Sequence, residues 1–140
     1  MSWEVSLVRI AGYEVETLRK RLSEVVTRRE AAEMGLVMLD AQIEAEARFV
    51  RDDPIASFHH PGFLAGCKAR RTALLSLLEH ILAEEAGARD ALAEAFESQK
   101  KYEHVADGMA QRRLREANRR ETAELDELGL RRSGRGASGA

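Results

Sequence analysis

Four histidines and one cysteine are the residues of this chain best suited to metal or nucleophilic chemistry, and their spacing limits what they could do. His59, His60, His80 and His104 never stand in the Glu-x-x-His arrangement by which helix bundles assemble carboxylate-bridged metal pairs. His59 and His60 lie near Asp52 and Asp53, a set that could hold a metal in principle. Adjacent loop residues with no cysteine or spaced partner read more simply as a solvated turn. Cys67 falls on an apolar seam, where a thiol behaves as a small hydrophobe. Paired-carboxylate chemistry would need a cleft, and the sequence promises none. No glycine-rich phosphate loop is present: Gly12, Gly35, Gly66, Gly87 and Gly108 are scattered singly, each costing about 1 kcal/mol against alanine inside a helix. They read either as points of flexibility or as close-contact sites. The chain is therefore expected to be no enzyme, with no catalytic, cofactor-binding or metal-binding residues and no cofactor.

What remains is ionic. Arg112, Arg113, Arg115, Arg119 and Arg120 cluster ahead of Glu121, Glu124, Asp126 and Glu127, and Arg131, Arg132 and Arg135 follow. Such a cluster could meet nucleic acid, but the interleaved acids would repel phosphates and no aromatic residue beyond Tyr102 is available to stack on a base. Overall, 22 basic against 24 acidic side chains give a formal charge of -2, so bulk attraction to nucleic acid or anionic lipid does not organise the protein.

The elements that must carry these residues follow from composition and periodicity. Ala, Glu, Arg, Leu and Lys make up 78 of the 140 residues, and only seven are aromatic; this is the usage of long helices rather than of a thick globular core. No apolar run approaches the ~20 residues of a membrane span, the N-terminus lacks the basic start and apolar stretch of a signal peptide, and a single cysteine suits a reducing cytosol. Both prolines, Pro54 and Pro61, fall within residues 51–62, which predicts a loop there. The expected architecture is all-α: a long antiparallel two-helix coiled-coil hairpin with unequal arms. Helix one would cover about 3–50, capped by Ser2, and helix two about 63–128, stopped by a Gly129 C′ residue, with 131–140 a disordered tail.

Alternating steps of three and four from Val8 meet eleven apolar residues in thirteen positions, among them Val15, Leu18, Leu22, Val25, Leu36, Leu39 and Ile43. The same template from Leu64 meets eleven in fourteen, among them Cys67, Leu74, Leu78, Ile81 and Leu92. A 3.5 repeat held over so many turns is a coiled-coil seam. Arg29, Glu46, Arg71, Glu85 and Gln99 interrupt it. Past Met109 the frame meets Arg113, Glu116 and Arg120, and a four-residue shift through Ala106, Ala110, Leu114 and Ala117 recovers an apolar line, which reads as a stutter. Acid-first i,i+4 pairs, Glu16/Lys20, Glu24/Arg28, Glu44/Arg48, Glu85/Arg89, Glu97/Lys101 and Glu116/Arg120, support the outer faces. Paired back from the loop, the shorter arm covers the longer one to about residue 111, leaving Gln111–Leu128 unpartnered for roughly 25 Å.

The pattern resembles the FliJ family of the flagellar type III export apparatus. The resemblance rests on Glu14-Val15 with the Leu18/Leu22 heptad, Lys100-Lys101 after Phe96, and Glu116-Ala117-Asn118-Arg119-Arg120 running to Leu125-Asp126-Glu127-Leu128, over about residues 3–130. It implies a non-enzymatic component of bacterial flagellum assembly and motility. Such a protein acts as central stalk and adaptor of the hexameric export ATPase, contacts the cytoplasmic domain of the export gate, and escorts export chaperones. It also implies a cytoplasmic protein held peripherally at the inner membrane, at the flagellar base. Carried over, the ATPase-ring contacts would be Arg112, Arg113, Arg115, Arg119, Arg120, Leu125, Asp126, Glu127 and Leu128, and the gate contacts Leu39, Gln42 and Glu46. The alternatives are a generic coiled-coil scaffold or dimeric tether and, third, a nucleic-acid-binding helical hairpin.

Overall fold

The computed structural model describes residues 2–138 and contains two helices, α1 (Trp3–Val50) and α2 (Pro54–Ser138), which form the expected all-α hairpin with unequal arms. At its N-terminus α1 is closed by Ser2, whose carbonyl accepts the Ser6 N–H at 3.2 Å.

The connection differs from the expected loop over 51–62. It is a turn of Arg51–Asp53, and α2 starts at Pro54 rather than near 63. Asp53 caps the helix: its Oδ1 accepts the N–H of Ile55 at 2.9 Å and of Ala56 at 3.4 Å. Pro54 then occupies the first helical position, where its missing N–H would have no intrahelical partner and its fixed φ suits the helix. Pro61 lies inside α2, exposed to solvent, and interrupts the early backbone bonding without ending the helix.

The expected stop at Gly129 is also absent. No described residue has a positive φ, so no left-handed C′ residue forms, and an Arg131–Glu127 pair at 2.9 Å bridges the position. Of the segment 131–140, α2 includes 131–138, and residues 139 and 140 lie outside the described residues. Since the helix continues, the acids at 121–127 do not sit in its last turn and do not oppose its macrodipole there.

The fold divides into two units. One comprises residues 13–95 and the other residues 1–12 with 96–140. In the 13–95 unit the seam packs as its periodicity predicts: Val15, Val25, Ala32 and Leu39 of α1 and Cys67, Ile81, Ala88 and Ala95 of α2 are buried. Val25, Ala32 and Ile81 form the central cluster, with Leu78 against it. Three of the five interruptions of the seam, Arg29, Arg71 and Glu85, are explained by pairing. Arg29 and Glu85, both off-pattern, meet at 2.9 Å, with Glu33 adding a contact to Arg29 at 3.2 Å. These carboxylates, Glu85 first, push the Arg29 guanidinium further toward its charged form. Arg71 reaches Asp40 at 3.1 Å. Arg28 turns away from its expected partner Glu24 to bond Glu84 at 2.6 Å across the hairpin, and Glu16 pairs with Arg19 at 3.1 Å. Glu44–Arg48, Glu85–Arg89, Glu97–Lys101 and Glu116–Arg120 form as the i,i+4 spacing predicts.

Candidate functional site

In the unit built from residues 1–12 and 96–140, α1 is present only as its first turns, so α2 outruns it. Ala11 is buried there, and Val8, Gln99, Ala106 and Met109 are half-buried. The outermost ion pair between the two helices among the described residues is Glu4 with Arg113, whose Nη2 stands 2.5 Å from Glu4 Oε1. Both residues lie on the unshifted seam frame, one step back from Val8 and one step on from Met109. The expected stutter is therefore not used: Ala110, Leu114 and Ala117, on the shifted line, are exposed. The original frame continues until α1 ends, because the partner helix, not the apolar line on α2, decides which face is covered.

Glu4 is only 2% exposed, yet neither carboxylate oxygen has a well-angled hydrogen bond among the described residues. Its own first-turn backbone N–H is the largest influence holding the carboxyl below the usual range. Arg113 and Ser2 act in the same direction and burial opposes them. A buried charge facing one specific opposite charge favours one register over its heptad-shifted alternatives. The pair marks the point past which α2 is exposed along its length.

Beyond Arg113, every residue from Leu114 to Gly134 is exposed. Leu114 (63%), Leu125 (62%), Leu128 (53%) and Leu130 (74%) offer apolar surface with nothing on it. The overhang expected from residue 111 thus starts just past 113. Of the expected ring contacts, Arg112, Arg115, Arg119, Leu125, Asp126 and Leu128 lie exposed in α2. Arg120 is held by Glu116 at 3.1 Å and Glu127 by Arg131 at 2.9 Å, both on the surface. Arg113 differs from the others, being engaged by Glu4.

The expected gate residues scatter in the 13–95 unit. Leu39 is buried in the seam, Glu46 is half-buried and Gln42 is exposed. Met34, Val37, Met38 and Phe49 of the same helix are exposed, and Met38, Leu39 and Gln42 line a shallow groove with Arg70 and Leu74. Heptad counting assigns Leu39 to the seam, where the structure buries it.

Among the described residues, no three His, Cys, Asp or Glu side chains come close enough to hold a metal ion. Phe58 and His59 meet edge to face at 5.3 Å, and His60 stacks on Phe63 at 6.4 Å. No described helix is long and apolar enough to cross a membrane.

Comparison with known proteins turns this geometry into a family. Over 131 residues the chain is 50% identical to the protein named Flagellar FliJ protein of Caulobacter vibrioides strain NA1000 / CB15N, covering 94% of both chains. It matches the Flagellar FliJ protein of strain ATCC 19089 / CIP 103742 / CB 15 to the same extent. The chain belongs to the FliJ family. No family model matches it, and no solved structure is significantly similar. As a FliJ-family protein it is a component of flagellar protein export and flagellum biogenesis. The aligned 131 residues are most of the hairpin, so the likeness concerns the chain as a whole rather than one motif.

Proposed function

We propose that this FliJ-family protein is the central stalk and adaptor of the flagellar export ATPase, with no catalytic activity of its own. The observation that carries the reading is the bare helix past the Glu4–Arg113 pair. A helix can thread a protein ring only if little else surrounds it, and the bare segment satisfies this. Arginines at 112–120 followed by acids at 121–127 present opposite charges at successive depths, which steers entry and orientation more than it adds affinity. Ring contacts are assigned to Arg112, Arg115, Arg119, Arg120, Leu125, Asp126, Glu127 and Leu128, with Arg113 holding the base of the segment. In the other unit, Gln42 and Glu46 belong to the surface that meets the export gate, together with exposed Met34, Met38 and Phe49; Leu39 supports this face from beneath. Export chaperones are further partners, and the protein acts on the cytoplasmic side of the inner membrane at the flagellar base.

The test is ATP hydrolysis by the purified export ATPase with the full chain and with a variant lacking residues 114–128. The full chain should stimulate hydrolysis and promote hexamer assembly seen by mass photometry, with one chain per hexamer. The deletion variant should do neither while its hairpin still melts cooperatively. Undiminished stimulation by the deletion variant would refute the role given to the bare helix, and a full chain without effect on assembly or rate would leave a scaffold or tether as the better reading.

A further inference from the structure

The exposed segment past Arg113 has a charge pattern that a partner of one sign cannot satisfy. Residues 112–120 hold five arginines and one glutamate, and residues 121–128 hold four acids and no base. A nucleic acid or an acidic peptide would fit the first half and be repelled by the second; a basic partner meets the reverse problem. The apolar residues have a matching regularity. By the helical period, Leu114, Ala117, Leu125 and Leu128 fall on one face, and Glu121 lies in the middle of that face, equidistant in sequence from each pair. The positions mirror about residue 121.

We propose that the occupant of this face is the same segment of a second copy, docked antiparallel about a two-fold axis through Glu121. In that pairing Leu114 of one copy lies level with Leu128 of the second, and Ala117 with Leu125. The arginine half of each chain faces the half of the other that carries Glu124, Asp126 and Glu127. A two-fold interface requires one patch to be complementary to itself, and charge of opposite sign segregated on either side of the axis, with apolar residues placed symmetrically about it, meets that requirement. A parallel pairing would set like charge on like. The contact spans only about two heptads, roughly 22 Å of helix, so the dimer is reversible and screened by salt. Its weak point is the dyad, where the two Glu121 carboxylates meet. The pairing itself does not depend on the stalk reading; only its consequence does, namely that a self-paired segment is covered and must separate before entering a ring.

The experiment is sedimentation equilibrium of the full chain without any ATPase, at low and at high ionic strength. A monomer–dimer equilibrium is expected at about 0.05 M salt and should weaken severalfold or more at about 0.5 M. Glu121→Leu removes the like-charge contact and adds apolar surface on both copies, and should tighten the dimer by roughly tenfold or more. Arg115→Glu and Glu127→Arg should each weaken it, and the two together should restore it, a pattern that loss of helicity could not produce. Deleting 114–128 should leave a monomer. The proposal is overturned if Glu121→Leu sediments as a monomer at low salt, if dimers persist after the deletion, or if the double charge reversal fails to restore association.

Discussion

Replacing Gly35 and Gly87 by alanine, singly, separates the two roles that isolated glycines play in long helices. An ideal Cβ on Gly87 would have nothing within 4 Å, whereas on Gly35 it would stand 3.7 and 3.8 Å from the two methyls of Leu74, an ordinary packing distance. Neither glycine has a positive φ, so neither conformation needs glycine. Gly87→Ala should therefore express helix propensity alone, a gain of about 1 kcal/mol. Gly35→Ala should give the same gain plus part of the ~0.8 kcal/mol of a buried methyl-sized group, or about 1.5 kcal/mol. Urea unfolding followed by circular dichroism at the helical band is the measurement. With a slope of about 2 kcal/mol per molar, the midpoints should rise by roughly 0.5 M for Gly87→Ala and somewhat more for Gly35→Ala, at unchanged slope. A lower midpoint for Gly35→Ala, with Gly87→Ala raised, would mean that the helices approach more closely at Leu74 than described and that Gly35 is a required close contact. Should both fall, the reasoning from propensity fails for this hairpin.

Three further outcomes follow from the packing. Ile81→Ala, in the centre of the Val25–Ala32 cluster, should destabilise the protein by about 2–3 kcal/mol by calorimetry or urea, the lower part of the usual range because a two-helix seam collapses easily onto a cavity; a loss below half a unit would place Ile81 outside the core. Removing either Arg29 or Glu85 should destabilise more than replacing both with methionine, since a single change strands one charge against the seam; a double-mutant cycle with no coupling would deny the pair its register role. The Glu4 carboxyl titrates below its ordinary value of about 4.5, so its contribution is complete above that value and is lost as pH falls through the lower, folded value. Thermal melts from pH 5 down to pH 2 should show an acid-limb loss that is smaller in Glu4→Gln, and an unchanged acid limb in that variant would contradict the assignment.

How much of this was legible in advance varied with the range of the interaction. The Asp53-Pro54 start of α2 was present in the sequence as a capping residue followed by proline at the first helical position, and two prolines close together masked it. Pro61 was the misleading residue: it stands eighth in α2, inside the helix, and its missing N–H does not end it. The bare segment was foreseeable from arm lengths alone, within a few residues. Its base was not, because Arg113 reads in isolation as one more member of an arginine run. The residues expected at the gate show a similar limit: Leu39 fits a family pattern and a heptad pattern equally, and the sequence does not say that it is buried in the seam.

The sequence by itself determined the all-α class, the helical hairpin and the face of each helix that would be apolar, because a 3.5-residue repeat acts through neighbours on one chain. Only the tertiary structure decided which polar exceptions were errors in the pattern and which were partners. Arg29 with Glu85, Arg71 with Asp40, and Glu4 with Arg113 join residues far apart in sequence. A heptad pattern alone tolerates a slip of seven residues; what restricts it here is the short turn of Arg51–Asp53 together with charges that meet across the helices, and neither is written in the repeat.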